Sequence, residues 1–174
     1  MKLKTAAWSV IGLAFFALAL QAAEEKKEAP KQSGLDRFKQ LAGEWSGKMS
    51  HEGQAIDATV TYKVTSNGTA VVETLGPGSE HEMVTVIHQD GDKLALTHYC
   101  ALGNQPHMKA DANADGNKFA FDFVSASNLK SDKDMHMHSV TYTFVDKDTL
   151  KADWTHYQDG KKAGTASFEM KRKR

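Results

Sequence analysis

Apolar and polar residues alternate with a period of two along most of the chain after residue 43. The clearest run is Ile56, Ala58, Val60, Tyr62 and Val64, interleaved with Asp57, Thr59, Thr61 and Lys63. Successive side chains of a strand point to opposite faces, so this pattern predicts a half-buried strand. Similar runs are predicted as strands at 45–49, 70–75, 83–88, 94–100, 107–112, 119–124, 135–145, 150–157 and 166–170. Turn signals separate them, among them Ser66-Asn67-Gly68-Thr69, Gly76-Pro77-Gly78, Asp90-Gly91, Asp115-Gly116 and Asp159-Gly160. Asn-Gly and Asp-Gly supply the positive φ angles that tight hairpins need. Helical spacing occurs ahead of the strands, where Leu35, Phe38, Leu41 and Ala42 predict one short helix stopping near Gly43. About ten strands joined by tight turns predict an all-β fold, an antiparallel up-and-down β-barrel over residues 34–172.

The first 23 residues follow a different rule. Lys2 and Lys4 precede an apolar run at 8–20 (WSVIGLAFFALAL), small residues follow at Ala22 and Ala23, and the chain then turns to Glu24-Glu25-Lys26-Lys27-Glu28. This is the layout of a secretory signal peptide, and it predicts cleavage after Ala22 or Ala23. An uncleaved anchor is the rival, but the strongly apolar part is shorter than the roughly 20 residues a span needs. The expectation is a secreted or periplasmic protein with no stable membrane anchor after cleavage. Residues 24–33 are charged, contain Pro30 and carry no apolar period, so they read as a flexible linker.

Charge and cysteine content then remove several function classes. The 174 residues hold 22 Lys+Arg and 22 Asp+Glu, and loss of the leader would leave a slight acidic excess. Nucleic acid is not expected as a partner, since phosphates call for an excess of cations. The single cysteine, Cys100, excludes an internal disulfide and every CxxC site.

A short helix running into Gly43-Glu44-Trp45-Ser46-Gly47 resembles the Gly-x-Trp entry of lipocalin-like barrels of the calycin superfamily, whose tryptophan plugs one barrel end. The opening is also similar, more distantly, to nitrobindin and the fatty-acid-binding branch. The stretch 98–108 (HYCALGNQPHM) resembles a run in secreted bacterial lipocalin-like proteins of unknown function. The resemblance implies a barrel with a cavity and leaves its ligand open.

If the more apolar face of each strand turns inward, Trp45, Met49, Ile56, Tyr62, Leu96, Phe144 and Trp154 face the interior. His98, Cys100, His136, His138 and His156 fall on the same faces near strand ends. The predicted ligand is a small apolar molecule contacting Tyr62, Leu96, Cys100, Phe144 and Trp154 and oriented by the four histidines. No cofactor is expected, and binding is favoured over catalysis, with enzymatic activity left open. The alternative is a zinc, copper or haem site using His98, His136, His138 and His156, because His136 and His138 share a strand face with Cα atoms about 6.6 Å apart. On that register Met135 and Met137 point away from them. Two weaker patterns are an oxygen-rich run at 111–122, spaced like a calcium loop but carrying Lys118, and a Cys100–His98 nucleophile pair without an acidic partner.

Overall fold

The computed structural model describes residues 33–112 and 116–174. The segments predicted as leader and linker lie outside the described residues, apart from Ser33. That serine caps the α-helix α1 (Gly34–Lys39), its hydroxyl accepting from the Asp36 N–H. Ten strands follow: β1 (Gly43–His51), β2 (Gln54–Thr65), β3 (Ala70–Leu75), β4 (Met83–Asp90), β5 (Lys93–Tyr99), β6 (Gln105–Asp111), β7 (Lys118–Ser127), β8 (His136–Phe144), β9 (Thr149–Gln158) and β10 (Lys161–Arg172). Each pairs antiparallel with the next, and β10 returns to β1, closing the barrel. Closure leaves no free sheet edge. It also needs β1 and β10 to approach closely, which Gly47 permits: a Cβ there would overlap the Glu169 carbonyl.

The two ends of the barrel differ. At one end α1 lies across the opening and seats Phe38, fully buried, edge-on against Phe119, Phe121, Tyr142 and Phe144 at centroid distances of 5.2–5.9 Å. Such edge-to-face pairs add to the gain from burial alone. Trp45 is 1% exposed and donates its indole N–H to the Leu41 carbonyl at 2.8 Å. Arg172 lies 4.4 Å over the Trp45 ring and donates to the Gln40 and Ala42 carbonyls, satisfying the end of the helix. The basic C-terminal run is thus partly structural.

The inward faces follow the alternation for seven strands, and β7, β8 and β10 each meet a register shift, that of β10 lying between Lys162 and Gly164. β8 is the exception that matters. Its register with β9 shifts between Met137 and Ser139, leaving His138 as an extra residue. A bulge inverts the parity beyond it. Val140, Tyr142 and Phe144 still point inward, but Met137 takes the next inward place, opposite His156. β7 carries a comparable irregularity opposite His107/Met108. Ile56, expected inside, is 55% exposed near the open end.

Candidate functional site

The end opposite α1 is open, and there the interior is not filled. A cavity of about 750 Å³ enters between the β1–β2, β3–β4, β5–β6, β7–β8 and β9–β10 connections. Its inner end is formed by Leu75, His98 and Trp154, and its walls by Met49, Met83, Met137, Ala166 and Phe168. Cys100 and His156 stand nearer the mouth with His51, His81 and Met135. A mainly apolar concavity of this size, with a few polar groups, is the usual form of a small-molecule site.

Of the residues expected at the site, His98, Cys100, Trp154 and His156 line this cavity. Tyr62, Leu96 and Phe144 point inward but belong to the packed half, at 4%, 1% and 4% exposure. His136 and His138 lie outside the lining, because the bulge at His138 hands the inward place to Met137. Their rings instead pack with Phe123 and Tyr157, His138 being stacked between the two at 4.8 and 3.8 Å. The expected four-histidine metal set is therefore not assembled: His98 and His156 line the cavity, and His136 and His138 bond each other at 3.0 Å elsewhere. Among the described residues no three His, Cys, Asp or Glu side chains group as a metal centre. In the calcium-like run, residues 113–115 lie outside the described residues, and Asp111 pairs with Lys93.

One rung of side chains sets the chemistry of the inner end. Tyr62, Glu73, Thr85 and His98 are successive cross-strand partners on β2, β3, β4 and β5, all facing inward. Glu73 is fully buried and accepts from the Tyr62 hydroxyl at 2.7 Å and the Tyr142 hydroxyl at 2.9 Å. Burial pushes its carboxyl above the ordinary range, while hydrogen bonds from Tyr62, Thr85 and Tyr142 pull it back. When Glu73 is ionised, Thr85 can direct its single proton to it. In that state the Thr85 oxygen, 3.0 Å from His98 Nδ1, accepts from that nitrogen. Nδ1 then carries the hydrogen and Nε2 a bare lone pair.

His98 is 1% exposed, and burial lowers its pKa to about 4, so the ring is neutral at ordinary pH. Among the described residues His98 Nε2 and Trp154 Nε1 have no hydrogen-bond partner, and the two rings sit 4.5 Å apart. An acceptor and a donor therefore stand unmatched side by side at the inner end. Nearer the mouth, burial lowers His156, and the neighbouring His51 ring, 5.4 Å away, acts in the same direction. Gly164 lies opposite His156, and a Cβ there would meet the imidazole at 2.6 Å. That glycine gives the ring its place.

The barrel is similar to Rv2717c from M. tuberculosis. The two share 13% identity with a TM-score of 0.59, over 84% of this chain and 99% of that one. At this identity the likeness shows the fold alone. A protein of unknown function from the DUF3598 family of Nostoc punctiforme also aligns (13% identity, TM-score 0.48, 78% of this chain and 49% of that one), as does a redesigned β-barrel (12%, 0.42, 79% and 96%). No protein-family model and no curated protein matches the chain.

Sequence reasoning passed over Glu73, Thr85, Met83, His51 and His81, and it turned Met137 outward. The signal for Glu73 was present, as an acid on the same parity as Val71 and Leu75. Met137 had none, because Met-His-Met-His alternates equally well in either register.

Proposed function

We propose that this barrel is a secreted or periplasmic binding protein that holds a small, mainly apolar molecule in its open half. The observation that carries the reading is the half-filled interior. The α1 end is packed with aromatic rings, while the other end leaves about 750 Å³ lined by Met, Leu, Phe and Trp side chains. Methionine suits this use, since its flexible thioether fits ligands of varied shape. His98 Nε2 and Trp154 Nε1 supply an acceptor and a donor for one neutral polar group on the ligand, such as a hydroxyl or carboxamide. A carboxylate would gain nothing from a neutral His98 beyond the Trp154 N–H. Export rests on the leader-like layout of residues 1–23. N-terminal sequencing of protein recovered outside the cytoplasm should begin at Ala23 or Glu24.

Titration with the neutral fluorescent probe N-phenyl-1-naphthylamine tests the cavity. Ala166 stands on its wall, opposite Trp154. Ala166→Phe should reduce probe affinity at least tenfold, about 1.4 kcal/mol, while unfolding stays cooperative. Absence of probe binding to the unaltered protein, or equal binding to a folded Ala166→Phe variant, overturns the proposal.

A further inference from the structure

The sulfur atoms of this protein are not spread at random. The chain has seven methionines and one cysteine. Met49, Met83, Met135, Met137 and Cys100 all line the open cavity, whereas Met108 and Met170 sit in the packed half at 1% and 2% exposure. Within the cavity one pair is close: Cys100 Sγ lies 4.0 Å from Met83 Sδ. The pair is set by register. Val84 is opposite Tyr99 and Thr85 opposite His98, so Met83 and Cys100 form the next rung toward the mouth on the same inward face.

We propose that Cys100 and Met83 are the sulfur ligands of a copper(I) site at the cavity mouth, with His98 Nε2 as the nitrogen donor one rung deeper. Two metal–sulfur bonds of about 2.3 Å to one ion, with the sulfurs 4.0 Å apart, subtend an angle of about 120°. That is the angle of a trigonal centre, and thiolate with thioether is the donor combination that selects copper(I). His98 gives an independent pointer to a ligand. It is 1% exposed, its Nδ1 is held by Thr85, and its Nε2 has no partner among the described residues. A bare imidazole nitrogen whose other nitrogen is held by a hydrogen bond is the form in which histidine binds metal.

Charge decides between ions. Copper(I) with one thiolate, one thioether and one neutral imidazole has no net charge, whereas zinc(II) on the same donors would leave a buried positive charge, which is costly in an apolar site. Binding is a proton exchange without redox change: the Cys100 S–H bond breaks, a sulfur–copper(I) bond forms, and the proton leaves to solvent. Burial pushes the Cys100 thiol up, and the backbone N–H groups of Ala101 and Leu102 offset part of that. The site runs from the cavity mouth to His98 at the inner end, and it does not depend on an organic ligand although it would share His98 Nε2 with one.

The test is an anaerobic titration of the full chain with copper(I), in ascorbate, against the chelator bathocuproine disulfonate. One equivalent should be retained, and X-ray absorption should show sulfur at about 2.3 Å together with a nitrogen ligand. Cys100→Ser and Met83→Leu should each weaken retention at least tenfold, about 1.4 kcal/mol, while Met108→Leu in the packed half should not. No retained copper(I), equal retention by a folded Cys100→Ser variant, or a centre without sulfur overturns the proposal. The probe titration is run on the same samples. Intact probe binding without copper(I) removes the metal site and leaves the cavity reading standing, and the converse removes only the organic ligand.

Discussion

Acidification should destabilise this barrel through His98. The imidazole has an ordinary pKa of 6.5 and is lowered to about 4 by burial beside Trp154. A depressed pKa means that the unfolded chain binds the proton more readily than the fold. The contribution of neutral His98 is therefore complete above pH 6.5, declines as pH falls from 6.5 to 4, and is gone below 4. The full gap of 2.5 units corresponds to about 3.4 kcal/mol, at 1.36 kcal/mol per unit. Between pH 7.5 and 4.5 the loss is about 2.5 kcal/mol. Glu73, two strands away through Thr85, acts in the opposite direction. Its raised pKa makes stability fall as pH rises above 4.5 toward its value in the fold. Subtracting a His98→Gln variant separates the two effects. Urea unfolding of chelator-treated protein at both pH values should show the unaltered chain losing about 2.5 kcal/mol more than the variant. Imidazole NMR should place the His98 titration near pH 4. Equal pH dependence in the two proteins, or an NMR midpoint between 6 and 7, would refute the burial argument.

Three further outcomes follow from the closed end and the seam. Phe38→Ala removes a fully buried ring touching four others, and should lower the urea-unfolding free energy by about 3–5 kcal/mol. Trp45→Phe leaves the Leu41 carbonyl without its indole donor and weakens the Arg172 contact, for a loss of about 1–3 kcal/mol measured the same way. Gly47→Ala forces β1 away from the Glu169 carbonyl and should lower Tm by at least 10 °C or so, given the few degrees lost per kcal/mol in a domain this size.

Much of the fold was legible because each strand buries one face, so the period-two pattern is imposed by the barrel itself. Ten strands and their turns follow from it, and the helical spacing of Leu35, Phe38 and Leu41 marks the helix that carries Phe38. The site was legible only in part, and the reason is local. Val140, Tyr142 and Phe144 fix the parity of β8 as far as Ser139, and extrapolating it brings His136 and His138 inside. The single extra residue at His138 reverses that, and no residue type announces it. His98 and His156 escaped the error because β5 and β9 keep their inward parity to the mouth, with Leu94 and Leu96 leading to His98, and Leu150, Ala152 and Trp154 leading to His156.

The bulge also bears on what the cavity is. In an unbroken β8, the imidazoles of His136 and His138 would take the place of the Met137 thioether and join His51, His81 and His156 near the mouth. With the bulge, His136 and His138 bind each other and stack on Phe123 and Tyr157, while Met137 joins Met49 and Met83 inside. Its consequence is a wall that carries Met49, Met83 and Met137 around the neutral imidazole of His98, with His51, His81 and His156 nearer the mouth. On the two proposals above, such a wall would take up an apolar molecule or a monovalent soft ion with little charge to desolvate. One inserted residue in β8 thus moves His136 and His138 out of the lining and Met137 into it.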